Sequence, residues 1–147
     1  MNLTAQQERF CDVSAEATNL TTKHWAEFYG PGGFRADIGG VIDTEAAGRF
    51  RYFTLRSEDG VLAGHLGMML IPSPYYGKVI AMDVFYYVLP EFRGTTAICK
   101  LLRFGAQALR AAGISQIVVS HPADKDLSVL MKRAGFDKTS DMYTFGG

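Results

Sequence analysis

Three sets of residues in this sequence have the types and spacing to do chemistry. The first is the run from Val79 to Gly113, VIAMDVFYYVLPEFRGTTAICKLLRFGAQALRAAG. A buried strand there runs into a Pro-Glu-Phe-Arg-Gly turn, and the turn opens directly onto an amphipathic helix. The first backbone N–H groups of a helix lack partners within it, and the helix dipole favours negative charge there. Arg93 and the amides that follow it therefore suit an anionic ligand. The second is Asp83, an acid inside the apolar strand, five residues before Val88. A buried carboxylate has a raised pKa and can act as a base. The competing expectation puts Asp83 at a wet strand end or beside a cation. The third is His121, at the end of the next strand, where an ordinary pKa of about 6.5 suits proton transfer. Pro122 follows it and makes a plain loop role equally reasonable.

The elements that must hold these groups follow from periodicity. Residues 4–29 read as helical in two pieces, with Thr4 and Gln7 spaced as a capping box, ending at Gly-Pro-Gly-Gly. For residues 34–48, Gly39-Gly40 argue for a loop, with one helical turn at 42–47. Residues 49–56 alternate as a strand, Ser-Glu-Asp-Gly makes a turn, and 61–71 form the second arm of a hairpin. Residues 78–89 are a near-continuous apolar run, the mark of a central strand. A helix over 96–112 and a strand over 114–120 complete a βαβ unit with a parallel pair and a right-handed crossover. A helix over 124–134, with Asp124 as its N-cap, and a closing strand at 142–145 end the order. The expected class is α/β with a mixed sheet: an antiparallel meander, then one crossover, with helices on both faces.

Composition narrows the function classes. Apolar residues make up 48% and charged residues 20%, as in a globular protein, and the formal net charge is zero. A general nucleic-acid or membrane-surface role gets no support from that balance. Residues 61–147 hold nine Lys/Arg against six acids, so the half with the turn is positive by three. Cys11 and Cys99 have neither metal-ligand nor disulfide-framework spacing, and Cys99 reads as a small buried thiol. A cytoplasmic location is expected.

With these residues in this order, the chain resembles the GCN5-related N-acetyltransferase (GNAT) family. Three patches carry the resemblance: DGVLAGHL at 59–66, VLPEFRG at 88–94 and LMKRAGF at 130–136. They are similar to the family's D-G-x-x-v-G hairpin, its V-x-P-x-x-R-G turn and its L-Y-x-x-x-G-F helix end. The resemblance implies one acetyltransferase domain over 1–147, with N-terminal helices over 1–45 and a sheet core over 46–147. It implies acetyl-CoA as co-substrate and no metal. Val88, where the strand would splay from its neighbour, would pair with the pantetheine arm. Arg93, Gly94, Thr95, Thr96, Ala97 and Ile98 would surround the pyrophosphate. Asp83 and His121 are the candidate bases for direct transfer of the acetyl group to a primary amine. That amine would belong to a small molecule or a protein; a homodimer is also implied.

The sequence departs from the family pattern at two places. Thr96 and Ile98 stand where glycine, and glycine or alanine, are expected, which adds bulk beside the phosphates. Met131 stands where a proton-donating tyrosine is frequent, and core packing is its better explanation. These departures support an alternative: a catalytically degenerate binding or structural module, for example a phage-encoded virion or interaction protein. The short N-terminal half also resembles small phage acetyltransferase-like chains. Exposed Tyr75-Tyr76 would then mark a contact surface with other protein subunits. Tyr86, Tyr87 and Tyr143 are weaker candidates for the acceptor side, His65 is expected to face water, and His24 to sit on a helix surface beside Trp25.

Overall fold

The computed structural model describes residues 2–30, 35–75, 77–94 and 96–146. Five strands form one sheet in the order β1-β2-β3-β4-β5: β1 Leu3–Glu8, β2 Phe50–Ser57, β3 Leu62–Ser73, β4 Lys78–Val88 and β5 Gln116–Val118. The first four pair antiparallel, and β4 pairs with β5 in parallel. The helices are α1 Ser14–Tyr29, α2 Ile38–Ala46, α3 Ala97–Ala111 and α4 Ser128–Ala134. The mixed α/β class, the meander and the βαβ crossover stand as the sequence predicts.

Alternation along the strands divides the core. Phe53, Leu55, Leu66 and Met68 are buried with Leu101, Leu102 and Leu109 of α3 and with Met131 and Ala134 of α4. Phe50 and Tyr52, on the other face of β2, pack with Phe10 and Ala17, and Ile38 and Val41 of α2 lie against them. Successive side chains of a strand point to opposite faces, so one sheet supports two different layers. Met131 and Cys99 are both core residues, each 9% exposed.

The structure corrects several expectations. Residues 3–8 are an edge strand, not the start of a helix: Leu3 pairs with Ser57 and Glu8 with Tyr52. Backbone pairing outweighs a local capping pattern, because propensity is a weak prior against tertiary contact. Gly39-Gly40 lie inside α2 instead of a loop. The Asp37 side chain accepts the Gly40 N–H at 2.9 Å and so caps the helix ahead of the glycines. Asp124 caps nothing in α4, which starts at Ser128 with Leu127 as N-cap. The closing strand at 142–145 is absent, and Met142, Tyr143 and Phe145 are exposed. His65, expected to face water, is fully buried.

Candidate active site

The site begins where β4 and β5 part. Their pairing covers only Ile80–Met82 against Gln116–Val118. β4 runs on to Val88, paired on its other side with β3 as far as Gly64. Within that stretch the β3–β4 register shifts: Gly67 faces Phe85 and Met68 faces Asp83, which makes Val84 the extra residue of a bulge. The gap is fastened at its narrow end. Asp83 accepts the Ser120 N–H at 3.1 Å and the Ser120 hydroxyl at 3.2 Å, while the Tyr86 hydroxyl donates to Ser120 O at 2.6 Å. Burial pushes the Asp83 carboxyl above its ordinary range, and the Ser120 hydrogen bonds oppose that only in part.

His121 follows Ser120 and so lies beside the same end of the gap. Its Nδ1 contacts the Pro122 carbonyl at 3.0 Å. Among the described residues no hydrogen bond joins His121 to Asp83. Tyr143, expected near the acceptor side, is 89% exposed. Tyr76 and Thr95 lie outside the described residues.

At the wide end the strand meets the Pro-Glu-Phe-Arg-Gly turn. The Leu89 N–H donates to Ala63 O at 2.8 Å, toward β3. Main-chain groups alternate sides along an antiparallel strand, so the Val88 carbonyl points the other way, where Arg93 Nε donates to it at 2.9 Å. The Arg93 guanidinium also holds both oxygens of Glu27 of α1, each at 2.8 Å, and lies 5.3 Å from the centre of the Tyr87 ring. The Tyr87 hydroxyl donates to Glu27 Oε1 at 2.8 Å. Burial alone would raise the Glu27 pKa, but the hydrogen bonds from Arg93 and Tyr87 bring it below the ordinary value. Burial and the Glu27 carboxylate push Tyr87 up to about 12.

At the start of α3 the Ala97 N–H donates to Arg93 O at 3.3 Å. Gly94 has φ +46°, a left-handed conformation that turns the chain from the 3-10 turn Pro90–Phe92 toward α3. Thr96 is the N-cap of α3, is exposed, and makes no side-chain capping bond. Ala97 is buried, and Ile98, the bulky residue in the position expected to be small, packs against the α3-side core. Its bulk is therefore spent in the core.

Over the bulge lies a cavity of about 330 Å³ between α1, α2 and β4. Phe10, Trp25, Tyr29 and Phe85 give it aromatic walls, and Val84 stands at its edge. The sheet beneath α1 and α2 is unusually polar for an interior. Tyr52 hydrogen-bonds His65 Nδ1 at 2.7 Å, while His65 Nε2 has no partner among the described residues. Burial holds the His65 imidazole neutral, with a pKa near 3. Glu8 accepts from Thr54 and binds Arg56 at 3.0 Å, and Arg56 reaches Glu16 at 2.7 Å. His24 stacks on Tyr87 with ring centres 4.7 Å apart. Among the described residues no group of acids, histidines and cysteines could hold a metal ion. Among the described residues no helix is long and apolar enough to cross a membrane.

Glu27 lies 66 residues from its partner Arg93. No local pattern marks it; only the packing of α1 against the turn brings the two together.

No family model and no curated protein sequence matches this chain. Solved acetyltransferases match its structure over nearly the whole length of both chains. An aminoglycoside acetyltransferase from an uncultured soil metagenomic sample, in complex with sisomicin, has a TM-score of 0.76 at 16% identity, covering 97% of this chain and 95% of its own. The aminoglycoside enzyme AAC(6')-Iy, in complex with a CoA bisubstrate analogue, has a TM-score of 0.76 at 15% identity, covering 100% and 99%. Glucosamine-6-phosphate N-acetyltransferase from Arabidopsis thaliana has a TM-score of 0.74 at 12% identity, covering 100% of both chains. The fold is that of the GCN5-related N-acetyltransferases, as the three sequence patches imply.

Proposed function

We propose that this chain is an acetyl-CoA-dependent N-acetyltransferase that acetylates a primary amine by direct attack. The observation that carries the reading is the parting of β4 from β5, which leaves one edge of β4 from Asp83 to Val88 leading to the start of α3. An extended pantetheine arm would add to that edge as a strand does, through main-chain hydrogen bonds. The turn from Gly94 through Thr96, Ala97 and Ile98, with Thr95 between, would receive the pyrophosphate on backbone amides. Acetyl-CoA supplies an acetyl group activated as a thioester. Val88 would offer its carbonyl to the arm once Arg93 Nε releases it. Arg93 would then keep its hold on Glu27 or swing to the phosphates.

Asp83 is the favoured base. It is raised in pKa by burial, held by Ser120, and stands where the gap closes. It would take the proton of the attacking amine, directly or through water. His121 is the second candidate, from the same end of the gap. The acceptor would be a small molecule or a protein amine, and the protein would act in the cytoplasm.

Calorimetric titration with acetyl-CoA tests the reading. One binding event per chain is expected, together with thermal stabilisation of about 2.7 kcal/mol at one hundred times the dissociation constant. Thr96→Asp should weaken that binding at least tenfold while leaving the unliganded protein as stable or more so. Aspartate caps a helix well but repels a pyrophosphate. Absence of binding to the unaltered chain overturns the proposal and favours a degenerate binding module on the same scaffold.

A further inference from the structure

The cavity over the β4 bulge has a chemistry of its own. Four aromatic side chains besides His24, with the aliphatic Ile38, Val41 and Val84, make up most of its walls. Asp37 is the one carboxylate among the described lining residues. That carboxylate already accepts the Gly40 N–H, and Arg35 lines the same cavity. A polycation needs several uncommitted carboxylates to replace its hydration, because burying unpaired charge is costly. The walls cannot provide them. They offer aromatic faces and, besides Arg35 and Asp37, the polar side chains of Thr18, Thr21 and His24; Thr18 Oγ1 is buried without a hydrogen-bond partner among the described residues. A volume of about 330 Å³ is at the small end of ligand pockets.

Position ties the cavity to the gap between the strands. Val84 is the extra residue of the bulge, is half exposed and lines the cavity, while Asp83 before it lies opposite Met68 of the other face. A molecule seated between α1 and α2 therefore lies against the segment of β4 whose outer edge is unpaired.

We infer that this cavity takes the acceptor, and that the acceptor is a small primary amine on an aromatic or branched apolar body, not a polyamine. The inference rests on the acetyl-transfer reading above. In the reaction the amine nitrogen bonds to the acetyl carbon and the carbon–sulfur bond breaks. The proton lost from nitrogen passes through the base of the chain to the departing thiolate, which yields an N-acetyl amide and free coenzyme A.

Trp25 is the chain's single tryptophan and lines the cavity, so its fluorescence reports occupancy without any turnover. Titration of the full chain with 2-phenylethylamine should change that fluorescence saturably, with an apparent affinity at least tenfold tighter than for spermidine. Val41→Phe, which fills the cavity from α2, should weaken the 2-phenylethylamine response at least tenfold. Val84→Phe carries the same expectation at a half-exposed position that tolerates bulk. In acetylation assays the same order should appear in kcat/KM. An equal or stronger response to spermidine overturns the inference, as does no response to 2-phenylethylamine. So does an unchanged response in both folded variants. Failure of acetyl-CoA to bind, with the Trp25 selectivity intact, defeats the transferase reading and leaves a selective amine-binding cavity.

Discussion

The two faces of the sheet are built on opposite principles. Under α3 and α4 the sheet presents Phe53, Leu55, Leu66 and Met68, buried to 1% exposure or less, against leucines of α3. Under α1 and α2 the same strands present Tyr52, Thr54, His65, Phe85 and Tyr87, with His65 Nε2 lacking a partner among the described residues and a cavity beside them. Neighbouring residues on one strand belong to different physical worlds: Phe53 is dry core, while Tyr52 bonds a buried imidazole. The lesson is a division of labour. One face supplies the burial that holds the sheet together, and the other retains polar groups that cost stability unless something uses them.

The sharpest way to break this comparison is at the gap. Asp83→Asn keeps the shape and the acceptor oxygen for Ser120 but removes the proposed base. Turnover should fall by about 10²- to 10⁴-fold with acetyl-CoA affinity unchanged, in the range general-base catalysis supplies. Steady-state kinetics beside calorimetry separates the two. His121→Ala is the control; full activity in both variants removes both residues from the mechanism.

On the dry face, Leu101→Ala should cost about 2–5 kcal/mol, because a residue with no exposed surface leaves a cavity that cannot fully collapse. Urea denaturation measures it. A loss below about 1 kcal/mol would mean that the α3 face is not the main source of stability.

On the polar face, acid should act first. The unfolded chain protonates His65 near pH 6.5, whereas the folded protein resists until about 3. The folded pKa is depressed, so this contribution is complete above pH 6.5 and is lost as pH falls from 6.5 toward 3. Glu8 behaves in the same direction in a lower window. Burial would raise its pKa, but hydrogen bonds from Arg56, Thr54 and Gln6 bring it from 4.5 to about 2. Stability should therefore decline in two stages, and His65→Leu should flatten the upper one. Denaturation midpoints from pH 7.5 to 3 give the answer; an unchanged upper stage in the variant would place the titration elsewhere.

The smallest effect is expected at the link between the two regions. Glu27→Gln replaces a two-oxygen ion pair with Arg93 that is about a third exposed, and water screens such pairs. A loss of about 0.5–1 kcal/mol in thermal denaturation is expected. A much larger loss would show that the Arg93 clamp organises α1 rather than merely touching it.

Much of the fold was legible in the sequence. The hairpin, the central apolar strand and the amphipathic α3 are local patterns, set by alternation, helical spacing and turn chemistry. The elements that were misjudged lacked such patterns or obeyed non-local ones. Leu3–Glu8 is a strand because β2 offers it a partner, not because its residues demand it. The strand expected at 142–145 had the right residue types but found no neighbour to pair with. Of the candidate site, the turn and the acid in the strand stand out by residue type alone. Their partners were not, since Ser120, Glu27 and Val88 meet Asp83 and Arg93 only through the folded sheet.

The sequence by itself determined the scaffold and the chemical character of the turn: a strand, a proline-arginine-glycine turn and a helix whose N-terminus attracts anions. Tertiary structure decided how those parts are used. It spent the bulk of Ile98 in the core, placed Arg93 on the Val88 carbonyl, and buried His65 where water was expected. The reason is physical. Spacing along the chain sets which face a residue occupies, but only packing sets what that face meets.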